Sequence, residues 1–213
     1  MNMKKILFLA ALLLAATGLK AQEESERLWS LKPMAGATYS SATGSNSSMI
    51  DYKFGFTGGA EALYRPQGQE VVSVSAGLLY TMQGYKIAGN PDVTMKLNYL
   101  NLPVLMNFRL TESLTLKLGL QLGYLLTATA SGGRNGIEVD LDVWDAHQPW
   151  YLSAPVGVSF TTPFGIVADL RYCFGLTDIE KDEFTLLGQN IKNDGSGRHH
   201  SVFMLTLGYQ FDL

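Results

Sequence analysis

Residues 114–126 read LTLKLGLQLGYLL. Leu114, Leu116, Leu118, Leu120, Leu122, Tyr124 and Leu126 fall on every second position, with Thr115, Lys117, Gly119, Gln121 and Gly123 between them. A helix, at 3.6 residues per turn, would scatter those leucines around its circumference. A strand turns them all to one side, because successive side chains point to opposite faces. This stretch therefore fixes an all-β reading, and the same period of two recurs on both sides of it.

Seven further segments repeat the pattern. Residues 31–40 carry Leu31, Ala35, Ala37 and Tyr39 on one face, and 52–64 carry Tyr52, Phe54, Phe56, Ala60, Ala62 and Tyr64. Residues 71–83 follow with Val72, Val74, Ala76, Leu78, Tyr80 and Met82, and 96–110 with Leu100, Leu102, Val104, Met106 and Phe108. After the leucine ladder come 150–161, 164–176 and 201–213, which end on Phe203, Leu205, Leu207, Tyr209, Phe211 and Leu213. The connections alternate. Residues 65–70, 111–113 and 161–163 are short; 42–51, 84–95, 129–149 and 177–200 are longer and more polar. In an up-and-down meander the short links share one end with both termini, the arrangement of outer-membrane barrels. The expected fold is an eight-stranded antiparallel up-and-down transmembrane β-barrel, with the first and last segments paired so that no edge is left open in hydrocarbon.

A soluble lipocalin-like barrel would hide the apolar face inside; a membrane barrel shows it to lipid. Lipid is favoured here. The opposite face carries Gly36, Gly55, Gly59, Ser73, Ser75, Gly77, Gly157, Ser159 and Gly208, residues that suit a crowded interior rather than a soluble exterior rich in Lys and Glu. Aromatic residues gather near the ends of the apolar faces, as interfacial girdles require. An eight-stranded interior is filled by side chains rather than open. The expected inward charges are Lys53, Glu61, Arg109, Lys117, Asp169 and Arg171, beside the polar Asn101, Asn107 and Gln121. Buried charges need partners, so Glu61 and Asp169 should pair with some of the four cations. Pro103 and Pro155 lie inside expected strands, where a missing ladder donor calls for a bulge or an unpaired carbonyl.

The start of the chain is read separately. Lys4 and Lys5 precede an apolar run from Ile6 to Ala16, then Gly18 and Ala21, which is the pattern of a signal peptide over residues 1–21. The run is too short to span a bilayer as a helix, which takes about 20 apolar residues. Residues 22–30 would form a short periplasmic segment and 31–213 the barrel. Removing Lys4, Lys5 and Lys20 leaves 13 basic residues against 19 acidic ones, so no electrostatic nucleic-acid partner is expected. The single cysteine, Cys173, excludes an internal disulfide framework and any Cys-based zinc site.

Three short motifs resemble the PorT-like outer-membrane β-barrel domain family of porin-type proteins. Leu97-Asn98-Tyr99-Leu100-Asn101-Leu102-Pro103-Val104-Leu105 is similar to its Tyr-Leu-x-apolar-Pro signature. Gly119 to Leu126 resembles its Gly-rich strand ending in Gly-Tyr, and Arg171-Tyr172-Cys173-Phe174-Gly175-Leu176-Thr177-Asp178-Ile179 its Arg-Tyr-x-x-Gly-Leu-x-x-Ile ending. Asn101 stands where the family is often acidic, and Tyr151-Leu152-Ser153-Ala154-Pro155 where it commonly has Phe-Gly. The resemblance implies an outer-membrane location and no catalytic residues.

The remaining candidates for chemistry sit in the long connections. Glu138, Asp140 and Asp142 alternate with Val139, Leu141 and Val143, which reads as a strand extension above the membrane, and Asp145 follows. No calcium-loop pattern accompanies these acids, and a solvated acidic hairpin is the simpler reading. Asp178, Glu180, Asp182 and Glu183 form a second acidic group. His199 and Ser201 share a strand face near Asp178, but nothing in the sequence orients the three as a triad. The expectation is therefore a non-enzymatic monomer without metal or cofactor. Its partners would be outer-membrane lipid, lipopolysaccharide and a protein met at the external loops. A narrow pore for small solutes and a soluble periplasmic binder are the alternatives.

Overall fold

The computed structural model describes residues 28–44, 50–87, 89, 93–134, 137–179, 183–186, 189–192 and 197–213. The signal peptide expected over residues 1–21 lies outside these, as do Glu180 and Asp182. Eight strands form the barrel wall: β1 (Trp29–Gly44), β2 (Ile50–Tyr64), β3 (Val72–Ile87), β4 (Val93–Arg109), β5 (Leu114–Arg134), β7 (Trp150–Thr161), β8 (Ile166–Gly175) and β11 (Arg198–Tyr209), the last continued by β12 (Phe211–Asp212). Each pairs antiparallel with its neighbour in the chain order of the wall, and β1 closes the ring on β11 from Met34↔Gly208 to Gly44↔Arg198. The first segment, whose alternation is the weakest in sequence, is thus a full strand with two partners. Closure leaves no row of unpaired backbone groups facing lipid.

The leucine ladder faces outward. Leu120 is 54% exposed while Lys117 is 3% exposed, which excludes the lipocalin arrangement. The exposed row runs around the whole wall through Phe56, Leu78, Leu102, Val104, Met106, Val158, Leu170, Leu205 and Leu207. Aromatic pairs bound it at both ends. Trp29 packs on Tyr64 and Tyr209 on Phe211 at the end that carries the short turns. Tyr39 stacks on Tyr52 at 4.5 Å, Tyr124 meets Trp150 and Tyr172 meets Phe203 at the other. Ten residues separate Trp29 from Tyr39, and Leu114 from Tyr124. At ~3.3 Å per residue and a tilt of ~45° the girdles lie ~23 Å apart, close to the ~25 Å height of an outer-membrane apolar band.

Two of the long connections carry strands beyond the wall. β5 runs past the girdle to Arg134 and folds back as β6 (Ile137–Asp142), in the register Thr129↔Asp142 to Arg134↔Ile137. A single 3-10 turn at Trp144–Ala146 follows. β9 (Glu183–Leu186) and β10 (Gln189–Lys192) make a small hairpin in the last connection.

The bulges do not sit at the prolines. Register slips occur between Tyr52 and Thr57 in the β2–β3 ladder and at Asn98/Tyr99 in β4–β5. In the second, Asn98 pairs with Thr127 and Tyr99 with Leu125, so Leu126 is the extra residue. Gly84, with φ +136°, lies opposite the first slip, where a side chain would be strained. At Pro103 the β3–β4 ladder breaks between Val104 and Asn101 and resumes in the same register. At Pro155 the β5–β7 ladder breaks between Leu118 and Gln121 in the same way. Each proline omits one donor, and the closed wall absorbs the gap without inserting a residue.

Candidate functional site: the barrel interior

The inward positions below the membrane midline hold a compact charge cluster. Glu61 on β2 and Asp169 on β8 face three cations: Lys32 on β1, Lys117 on β5 and Arg171 on β8. Lys32 Nζ lies 2.9 Å from Glu61 and 3.5 Å from Asp169. Lys117 Nζ lies 3.3 Å from Glu61 and 2.5 Å from Asp169. Arg171 donates Nε and Nη2 to Asp169 at 2.5 and 2.9 Å and its Nη2 also contacts Glu61. Every carboxylate therefore meets every cation, and the side chains are 1–7% exposed. Charges this deep persist only when paired and hydrogen-bonded. The set carries one more cation than anion.

The small residues of the inner face give these long side chains room. Gly77 is the register partner of Glu61, and a Cβ there would come within 2.6 Å of Glu61 Cγ. Gly157 is the partner of Arg171, and a Cβ there would lie 2.8 Å from Arg171 Cγ. Gly123 lies opposite Tyr151, whose ring occupies the space a side chain would need. At these three pairs the glycine leaves the narrow interior free for its partner's large side chain.

Towards the external end the interior changes character. Tyr85, Leu97, Tyr99, Leu125 and Tyr151 pack with Ala42, Ala128 and Ile179, and Trp144 from the 3-10 turn packs against them. Tyr99, Tyr151 and His200 meet edge to face at 4.7–5.0 Å. Beneath this plug, the Tyr151 hydroxyl donates to Asn101 Oδ1 at 2.8 Å and accepts from Gln83 Nε2 and Gln121 Nε2 at 3.1 and 3.0 Å. Tyr151→Phe strips one partner from each of three buried amides. It is expected to cost about 1–3 kcal/mol, read as a lower urea midpoint in vesicles at unchanged slope.

Of the six charges expected inside, Glu61, Lys117, Asp169 and Arg171 come together. Lys53 lies near the external mouth, half-buried, with Nζ donating to Gln83 O at 3.2 Å. Arg109 is at the opposite rim and exposed. Neither joins the cluster, a correction that parity alone does not supply, because alternation gives a face and not a depth. Lys32 is the member the sequence reading missed; its signal is its position between the outward Leu31 and Ala35. The filled interior combines this charge cluster in its periplasmic half with an aromatic and aliphatic plug in its external half.

The other candidates are placed as follows. Asp140 accepts from Ser131 Oγ at 2.5 Å and lies 3.9 Å from Lys96 Nζ; Asp142 accepts from Trp144 N at 2.9 Å. His199 Nε2 is 3.6 Å from Asp178 Oδ1, but the Ser201 hydroxyl bonds Tyr172 OH at 2.7 Å. Cys173 is buried in β8. Among the described residues, no three His, Cys, Asp or Glu side chains converge in a metal-binding arrangement.

The family comparison agrees with the wall. Residues 20–181 match the family described as outer membrane protein beta-barrel domain. No curated protein matches the chain. Among solved structures, the attachment invasion locus protein Ail of Yersinia pestis is 18% identical, with 85% of this chain and 98% of that one covered and a TM-score of 0.45. Neisserial surface protein A is 17% identical over 86% and 97%, at 0.49. OprG from Pseudomonas aeruginosa is 13% identical over 87% and 97%, at 0.46.

Proposed function

Because the chain belongs to the outer membrane protein β-barrel domain family and so resides in the outer membrane, we propose that it acts there as a monomeric anchored platform whose external loops bind lipopolysaccharide or a partner protein. One observation carries the reading: the interior is filled by the charge cluster and the aromatic plug, whereas the chain's elaboration lies above the external girdle. The β5–β6 extension presents Asp140 and Asp142 beside Lys96, and Asp178 stands exposed near the same rim. Carboxylates at that height can share divalent cations with lipid phosphates, and Lys96 can meet a phosphate directly. The Leu97–Leu105 and Arg171–Ile179 motifs further support placement with PorT-like members. The reading includes no catalytic step.

Replacing residues 130–141 by a two-residue turn closes the hairpin at the Thr129↔Asp142 pair and removes nearly all of β6 and the end of β5 without touching the wall below the girdle. This variant is expected to keep heat-modifiable gel mobility and to bind purified lipopolysaccharide at least tenfold more weakly. Unchanged binding would reject the loops as the contact. The pore alternative is tested by planar-bilayer conductance, where the filled interior leads us to expect silence.

A further inference from the structure

Below the charge cluster the barrel opens to the periplasmic end as a small vestibule. Its floor is Lys32 and Lys117, its rim Arg65, Arg109 and Glu112, and its wall includes Asn107. Four cations thus face one carboxylate. Their availability differs. Lys32 and Lys117 are engaged upward with Glu61 and Asp169, and Arg65 lies 3.8 Å from Asp212. Arg109 makes no ion pair or hydrogen bond through its guanidinium among the described residues. It lines the same cavity as Lys32 and Lys117, so its five N–H donors are available at the mouth of a vestibule whose floor already carries an excess positive charge.

The register places complementary groups around it. Arg109 pairs across β4–β5 with Thr115, and Thr115 across β5–β7 with Ser159, so two hydroxyls share its row. One row deeper, Asn107 pairs with Lys117. Asn107 is 0% exposed and donates Nδ2 to Ser75 Oγ at 3.0 Å, but its Oδ1 has no hydrogen-bond partner. The site therefore offers cationic and hydroxyl donors together with one unmet acceptor. An unprotonated oxyanion leaves that acceptor unmet; an oxyanion that retains a hydroxyl satisfies both sides. The cavity volume is about 70 Å³. One water needs ~10–15 Å³ on that measure, so the space suits a few waters or one compact oxyanion, and nothing larger.

We propose that this vestibule binds a phosphate group that retains a proton, with Arg109 as its principal anchor, Thr115 and Ser159 as hydroxyl partners, Lys117 supplying the field from the floor and Asn107 Oδ1 accepting the P–OH. The group is inorganic phosphate or the phosphate terminus of a periplasmic molecule whose remainder stays outside the rim. Glu112 opposes it and keeps affinity modest.

The test uses the folded barrel in a maltoside detergent, which has no phosphate, with calorimetric titration of inorganic phosphate near pH 6.5. Saturable binding is expected, weakened at least tenfold by Arg109→Gln and tightened a few-fold by Glu112→Gln. Both residues lie at the rim, and retained heat-modifiable mobility verifies folding. Sulfate, which carries no proton at that pH, is expected to bind more weakly. Glycerol phosphate binding as well as phosphate assigns the end of a larger molecule; rejection of it assigns the free ion. Absence of saturable heat, an unchanged isotherm in Arg109→Gln, or sulfate binding as tightly as phosphate each overturns the proposal.

Discussion

Asp169→Asn is expected to destabilise the folded barrel by about 3–5 kcal/mol, the usual cost of removing one side of a buried ion cluster. The carboxylate meets Lys32, Lys117 and Arg171 at once. A neutral amide leaves Glu61 alone against three buried cations. Urea unfolding in phosphocholine vesicles, followed by tryptophan fluorescence, reads the change. Lys117→Met is the informative contrast. It also deletes a buried charge, but it leaves Lys32 and Arg171 against Glu61 and Asp169 and removes the excess cation. Its cost should be less than half that of Asp169→Asn. If the two variants lose equal stability, packing rather than charge balance governs the cluster.

The same cluster marks how far the sequence could be read. Alternation around the leucine ladder assigns Lys117 to the inner face, and the same parity assigns Glu61, Asp169 and Arg171. Physical necessity then joins them, because unpaired charges in a narrow interior are prohibitive. Lys32 escaped because Pro33 and the serines of β1 blur its alternation, although the outward Leu31 and Ala35 already imply its face. Depth was not legible. Lys53 and Arg109 obey parity yet lie near opposite ends, beyond reach of the cluster. The aromatic plug was hidden for another reason. Leu97, Tyr99 and Leu125 are apolar residues on the inner face, so the contrast between faces vanishes where they begin. The slip at Leu126 then reverses the parity of β5 beyond it, turning Thr127 outward and Ala128 inward. A bulge of one residue has no composition signal of its own. The prolines mark gaps in the ladder instead, where a donor is missing and the register holds.

Outer-face substitutions carry the second large effect, and its size depends on height. Leu120 lies midway between Leu114 and Tyr124, the residues that mark the two girdles on β5, and projects into the apolar band. Leu120→Arg is expected to cost about 2–4 kcal/mol, the range for a cation at the bilayer midplane of a β-barrel. Leu114→Arg, at the level of the periplasmic girdle, should cost only about 0–1 kcal/mol, because the guanidinium reaches headgroups and water there. Both are read by the same unfolding titration, and neither changes the interior. A soluble barrel would give no such gradient, since an arginine on a solvated wall is nearly free at any height. The ratio therefore tests the anchoring directly. Equal costs at the two positions would mean that the exposed leucines do not face acyl chains. The platform reading would then lose its footing, because the external loops are positioned by the band beneath them.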